Sequence, residues 1–226
     1  MSEQELVGRS GLPAGVREFR GDFEGHITVR AGATGVDALE RYAGQRNIKF
    51  THIVLARGRV CDQPMVTVRR SGTLAAVRDS VSELVEDMRG AGFAVVRVKL
   101  EASPWADGVP ETDTAARELG DGYYFEHHIK LVLDAEDDLA RLSAIAVAHQ
   151  AHLSANARRV RADGRLERFV TQRCRSVGNR GAESRFDALL TALADYEVRS
   201  AEREFVVFDT AESIDDGWIV EEVAAS

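Results

Sequence analysis

Two stretches of the chain share one alternating pattern of apolar and polar residues. Residues 21–29 read GDFEGHITV and residues 123–131 read YYFEHHIKL, each with a histidine near its centre. Alternation with a period of two predicts β-strands that have one apolar face. The faces expected to pack under helices hold Phe23, Gly25, Ile27 and Val29, and Phe125, His127, Ile129 and Leu131. The opposite faces hold Glu24, His26 and Thr28, and Glu126, His128 and Lys130.

The same order of elements follows each stretch. A helical spacing of apolar residues comes first, with Asp134 as a candidate N-cap in the second half, and two strand patterns come next. A second helix is then predicted from Val77, Val81, Val85 and Met88 in the first half, and from Phe186, Leu189 and Leu193 in the second. Gly90 and Gly92 are expected to end the first of these helices, and a final strand closes each half.

These patterns predict an α+β protein. The order β-α-β-β-α-β in each half indicates a tandem duplication of a ferredoxin-like unit, with antiparallel sheets and the helices on one face. We expect a flexible leader at residues 1–20, a first repeat at 21–110, a linker at 111–122, and a second repeat with a C-terminal tail at 123–226. The helix-free faces are expected to meet, either face to face or by joining into one sheet or barrel.

A Val-Thr-x-Arg motif occurs once in each half, at residues 66–69 and 170–173. In a ferredoxin-like unit the first and third strands are neighbours, so this motif is expected beside the histidines. Arginine offers a rigid fork for phosphate or carboxylate oxygens, and threonine adds a hydroxyl donor. The predicted binding residues for a small anionic metabolite are Thr28, Thr67, Arg69, Lys130, Thr171 and Arg173. The last strands are expected to add Lys99, Glu101, Glu202 and Glu204.

Composition narrows the function classes. The net charge of −8 argues against general nucleic-acid binding, which needs a broad basic surface. No apolar run reaches the roughly 20 residues that span a bilayer, and the N-terminus has no apolar signal-peptide core. Cys61 and Cys174 have no CxxC spacing, so free thiols and a cytoplasmic location are expected. The spacing of histidines and acids predicts no metal site, and no cofactor motif occurs.

The two histidines indicate acid–base chemistry. Imidazole titrates near neutral pH, so His26 and His128 can act as base and acid on opposite sides of a phosphorus atom. The run His26-Ile27-Thr28-Val29 resembles the His-hydrophobic-Ser/Thr-hydrophobic motif of the two-histidine phosphoesterases. The resemblance implies metal-independent phosphodiester hydrolysis, with His26 and His128 as catalytic residues and Thr28 as a phosphate ligand. The second motif departs from the pattern, because Lys130 stands where Ser or Thr is expected.

A second resemblance concerns Glu126, His128 and Lys130. Their spacing is similar to the alternating Glu-x-Glu-x-Lys strand of the triphosphate tunnel enzymes, with His128 in place of the middle glutamate. Those enzymes line an antiparallel barrel with acidic and basic side chains and bind triphosphate with a divalent metal. The resemblance implies that charges alternating along a central strand line a polyphosphate channel.

Two function classes stay open from the sequence. One is a site between the repeats for a phosphate- or carboxylate-bearing small molecule, with or without hydrolysis by paired histidines. The other is a non-catalytic ligand-binding or assembly protein, a candidate homodimer in which the His, Arg and Thr network is structural. The acidic loops that hold Trp105 and Trp218 are expected either to form lids or to cover sheet edges.

Overall fold

Eight strands and five helices make up the described part of the chain. The computed structural model describes residues 18–134, 136–158 and 161–218. The strands are β1 (Arg20–Arg30), β2 (Lys49–Leu55), β3 (Asp62–Thr73), β4 (Ala94–Ala102), β5 (Tyr124–Leu133), β6 (Ala151–Asn156), β7 (Leu166–Arg175) and β8 (Glu197–Asp209). The helices are α1 (Ala33–Gln45), α2 (Leu74–Gly90), α3 (Asp113–Leu119), α4 (Leu139–Ala148) and α5 (Asn179–Ala192), and a 3-10 turn covers Glu212–Asp215.

The strands form one closed antiparallel barrel in the order β1-β3-β2-β6-β7-β5-β8-β4. In the first half β1 lies between β3 and β4, and in the second half β5 lies between β7 and β8. The halves join along two seams, where β2 pairs with β6 and β4 pairs with β8. The helix-free faces were expected either to pack face to face or to join into one sheet or barrel, and the structure has the barrel.

Apolar side chains cover the outside of the barrel, beneath the helices. One cluster joins wall residues of the first half to α1 and α2, including Ile27, Val66, Leu39 and Val81, and it extends to Phe125 and Phe205 of the second half. A second cluster joins wall residues of the second half to α4 and α5, including Ile129, Val170, Leu142 and Phe186. Full burial of each such side chain contributes about 1.5–3 kcal/mol. Because strand side chains alternate, the polar residues between these apolar positions point into the lumen.

Helix α2 shows how the sequence builds this outer layer. Thr73 caps its N-terminus, where the hydroxyl accepts a hydrogen bond of 3.2 Å from the backbone amide of Ala76. The residues that face the barrel are Val77, Val81, Val85 and Met88, as the spacing predicts. The helix ends at Gly90, where the glycine signal places its end.

The α+β class and the antiparallel pairing predicted from the sequence are confirmed. Helix α4 begins at Leu139 rather than near Asp134, because the Asp138 carboxylate accepts the first backbone amides and caps the helix. The stretch expected to be a linker, residues 111–122, contains α3. Residues 1–17 of the expected leader and 219–226 of the expected tail lie outside the described residues. Within the described ranges, no helix is long and apolar enough to cross a membrane.

Candidate ligand site in the barrel lumen

The lumen holds a cavity of about 340 Å³ that is lined by both charged and apolar side chains. It is lined by side chains from both halves, because β1, β3, β5 and β7 each turn one face inward. Among the residues predicted for the site, those that line the cavity are His26, Thr28, Thr67, His128, Lys130, Thr171 and Arg173. The alternation along four strands thus brings together residues that are far apart in the sequence.

Each histidine contacts the threonine of the adjacent strand. His26 lies opposite Thr67 across β1 and β3, with its Nδ1 2.9 Å from the threonine hydroxyl. His128 lies opposite Thr171 across β5 and β7, with its Nδ1 3.2 Å from that hydroxyl. The same contact in both halves orients the two rings alike and leaves both Nε2 atoms facing carboxylates.

Glu101 of β4 lies between the two histidines. Its Oε2 is 2.7 Å from Nε2 of His26, and its Oε1 is 3.7 Å from Nε2 of His128. The ammonium of Lys99 is 2.8 Å from Glu101 Oε1 and 3.2 Å from Glu126 Oε1. Burial alone would raise the pKa of Glu101, but Lys99 and the histidines hold it well below its ordinary value. A buried carboxylate therefore occupies the space between the imidazoles.

His128 is held in its protonated form. Burial favours the neutral ring, but Glu101, Glu204 and Glu126 together raise the pKa of His128 to about 10. Its Nε2 lies 3.3 Å from Glu204 Oε2 and 3.6 Å from Glu126 Oε1. At neutral pH this ring is a fixed cation, which can donate a proton but has no free lone pair to accept one.

A second cluster in the lumen is built on two arginines. Arg173 of β7 donates to Glu126 Oε2 at 3.1 Å and to Asp215 Oδ2 at 2.5 Å. Arg97 of β4 donates to the same Asp215 oxygen at 2.9 Å and forms a forked pair with Asp209. Burial opposes the charge on both guanidinium groups, but these carboxylates raise the pKa of each arginine above its ordinary value. The cluster joins strands from both halves around one carboxylate.

Three residues predicted for the site have different surroundings. Thr28 is buried beside Met65 in the wall of the lumen. Lys130 forms an ion pair of 2.8 Å with Glu167. Arg69 does not join the other predicted residues in the lining, because its side chain is 77% exposed and donates to Glu24 at 2.7 Å. Its counterpart Arg173 is covered by the turn after β8. The sequence motif is the same in both halves, so it does not predict this difference in burial.

Some lumen residues were outside the sequence prediction. Arg97 alternates with Val98 along β4, and Gln63 alternates with Pro64 along β3, so the period-two signal could have identified both. Asp215 belongs to a 3-10 turn, where no strand or helix periodicity marks the inward side. Of the two tryptophans, Trp218 lines the lumen and is buried, whereas Trp105 is 79% exposed and lies outside the lining.

The strands also bring together donor groups that suit a metal ion. His26, Glu101 and Glu204 form one set, and Glu101, Glu126 and His128 form another, with the donor atoms of each set within 4.8 Å of one another. The sequence spacing predicts neither set, because Glu101 comes from β4 and the other members come from other strands. In the present arrangement Lys99 and His128 supply the positive charge that a cation would supply at these carboxylates.

A closed antiparallel α+β barrel with a charged lumen is the class of structure that these observations define. No protein-family model and no curated protein matches the chain. Among solved structures, the chain is similar to the acetolactate synthase small subunit from Thermotoga maritima, at 11% identity over 86% of this chain and 97% of that chain, with a TM-score of 0.30. A TM-score this low supports no inference about this chain.

Proposed function

We propose that the barrel lumen binds a small molecule that carries a phosphate or carboxylate group. The main support is the burial of many charged side chains around one cavity, namely Arg97, Lys99, Glu126, Lys130 and Arg173. Buried ion pairs add little net stability compared with apolar packing, so folding alone does not account for such a lumen. Cavities lined by ionisable groups with shifted pKa values are typical of binding and catalytic sites.

The cations and hydroxyls of the lumen suit an oxyanion. Arg97 and Arg173 present guanidinium groups from opposite halves, and Thr171 adds a hydroxyl. Lys49 lines the same cavity and has no ion-pair partner within the described ranges, so its charge is available to a ligand. The lumen position of Glu126, His128 and Lys130 agrees with the resemblance to the triphosphate tunnel enzymes and favours a phosphate-bearing ligand.

A ligand panel tests the proposal. Orthophosphate, pyrophosphate, tripolyphosphate with and without Mg²⁺, and succinate would be titrated by thermal shift and calorimetry, because a ligand of the folded state raises the melting temperature. Lys49→Gln should weaken binding, whereas Arg41→Gln, which removes the same charge on the outer helix α1, should not. Absence of saturable binding of every panel member, or equal loss in both variants, would refute a ligand site in the lumen.

Hydrolysis by paired histidines is a narrower proposal with less support. It needs a phosphorus atom between His26 and His128, where the Glu101 carboxylate lies. It also needs one ring to donate a proton and the other to accept one, and the pKa of His128, raised to about 10, leaves this ring only the donor role at neutral pH. Turnover of bis(p-nitrophenyl) phosphate by the wild-type chain, together with its loss in His26→Gln and His128→Gln, would establish hydrolysis. Turnover that survives both substitutions would exclude these residues as catalysts.

The alternative is a non-catalytic protein whose lumen network is structural. An unbroken chain of ion pairs supports it, running through Arg97, Asp215, Arg173, Glu126, Lys99 and Glu101. We also infer that the two halves arose by duplication, because they share element order and the His–Thr contact. This alternative would be favoured if the chain sediments as a homodimer and binds no ligand of the panel.

A further inference from the structure

The segment after β8 crosses the barrel from one side to the other. We call residues 211–218 the C-terminal cap. It leaves β8, and its far end contacts the loop after β2, where the amide of Arg59 donates to the Asp216 carbonyl at 2.7 Å. In the order of the barrel, β8 and β2 are four strands apart in either direction, so the cap spans the full width of the barrel. Trp218 ends it, buried, with its indole nitrogen donating to the carbonyl of Leu153 at 3.1 Å.

Asp215 of the cap fills an anion site whose other members belong to the barrel wall. Its Oδ2 accepts from Arg173 at 2.5 Å and from Arg97 at 2.9 Å, and its Oδ1 accepts from Gln63 at 2.8 Å. These three donors lie on β7, β4 and β3, and all three are buried. Two forked cations and an amide that converge on one carboxylate are the donor set that recognises carboxylate and phosphate groups of ligands.

The site requires an anion, but the anion need not be Asp215. Arg97 and Arg173 repel each other, so an anion has to separate them. Each arginine also has a second carboxylate on the wall, since Arg97 pairs with Asp209 and Arg173 with Glu126. The donors would therefore keep their positions if the cap left. Asp215, by contrast, belongs to a short 3-10 turn outside the sheet.

We propose that Asp215 is a tethered stand-in for the ligand, and that a phosphate or carboxylate group replaces it between Arg97 and Arg173 as the cap is released. This inference rests on the proposed function and deepens it, since it places the anionic group of the ligand and adds an autoinhibitory contact. Ligand affinity is then set by competition with a carboxylate of the same chain. The cap is a lid that is held by the ion pairs of Asp215 with Arg97 and Arg173 and by those of Glu212 with Arg173 and Arg175.

Orthophosphate titration of charge-neutral variants tests the competition. Asp215→Asn should bind orthophosphate about tenfold more tightly than the wild-type chain or better, because the tethered competitor has lost its charge. Asp187→Asn is the matched control, because it removes the same charge from an exposed position of α5, outside the lining of the lumen. It should leave the affinity unchanged. Parallel titration with succinate shows whether the site prefers phosphate or carboxylate. Equal or weaker binding by Asp215→Asn would overturn the proposal.

A second measurement uses the native cap and does not depend on Asp215→Asn folding. The chain has two tryptophans, so Trp105→Phe leaves Trp218 as the sole fluorophore. Orthophosphate should increase acrylamide quenching of the buried Trp218 as the cap is released. Quenching that stays constant or falls while phosphate binds would show that the ligand does not displace the cap, although the lumen would still be a ligand site. If neither the wild-type chain nor Asp215→Asn binds any panel member, the proposed function fails as well.

Discussion

The carboxylate of Glu101 lies 2.7 Å from Nε2 of His26, whose side chain lines the barrel lumen. The same carboxylate faces His128, so a side chain of β4 occupies the position between two histidines that the sequence motif assigns to a phosphate. The two histidines that the sequence pairs by symmetry therefore face one position, and an internal anion occupies it. Binding of an external anion is better supported at the arginine cluster, where the competing carboxylate belongs to the C-terminal cap.

Glu101→Gln should destabilise the fold markedly. The substitution keeps the shape of the side chain but leaves Lys99 and His26 without their nearest carboxylate in a buried site. Loss of one partner from a buried ion pair costs about 3–5 kcal/mol, because the other charge stays desolvated. Urea denaturation of the wild-type chain and the variant measures this difference.

The control for this prediction is the exposed pair of Glu86 and Arg89 on α2. Glu86→Gln removes the same charge from an ion pair of 2.8 Å in contact with solvent, where such pairs contribute about 0–1 kcal/mol. Equal effects of the two substitutions on the free energy of unfolding would contradict the view that Glu101 neutralises buried cations.

Stability should fall as the pH rises from neutral, because of His128. Its pKa is about 10 in the folded chain against 6.5 as the ordinary value, so between these pH values the folded state holds a proton that the unfolded state has lost. The contribution is complete below pH 6.5 and is lost as the pH approaches 10. One proton gives a slope of at most about 1.4 kcal/mol per pH unit.

The difference between the wild-type chain and His128→Gln isolates this slope from other titrating groups. The free energy of unfolding of the wild-type chain should decline more steeply than that of the variant over this range. The imidazole resonance of His128 should also show a protonated ring at pH 8 in NMR spectra. Parallel pH profiles, or a neutral ring at that pH, would show that the carboxylates do not hold the proton.

The sequence predicts the wall of the barrel well because alternation is a local property. Phe23 and Ile27 on one face, and Glu24 and His26 on the other, follow from the period of two along β1. The pairing of His26 with Thr67 also follows, because the ferredoxin-like order places the first and third strands side by side. Neither conclusion needs information about how the halves meet.

The interior of the site depends on contacts between distant segments, which alternation does not encode. Arg69 and Arg173 occupy equivalent positions in the sequence, yet one is exposed and the other is buried beneath the turn that carries Asp215. That turn has no periodic pattern, so the sequence does not show on which half it docks. The sequence also does not decide whether the strands close into a barrel, because strand edges of similar composition can pair or stay apart.

Gly178→Ala should destabilise the junction between α5 and the loop before α3. A Cβ at Gly178 would lie 2.4 Å from the backbone nitrogen of Thr112, and backbone atoms cannot move aside cheaply. Such overpacking typically costs about 1–3 kcal/mol. Gly44→Ala in α1 is the matched control, because a Cβ there meets no atom within 4 Å and should stabilise the helix by up to about 1 kcal/mol. Thermal unfolding that ranks the two variants in the reverse order would contradict the close approach at Gly178.

The seam between β2 and β6 should be the weakest line of the barrel. The two strands pair only through Ile53–Leu55 and Ser154–Asn156, flanked by the amides of Ala56 and Ala157, whereas β1 and β3 pair along most of their length. Local opening needs less free energy where fewer ladder hydrogen bonds break. Hydrogen exchange of the seam amides, such as those of Ala56 and Ala157, should therefore be faster than exchange in β1. A ligand that bridges the halves through the lumen should slow hydrogen exchange at the seam. If the seam amides exchange as slowly as those of β1 in the absence of ligand, the seam is as stable as the rest of the barrel and the prediction is wrong.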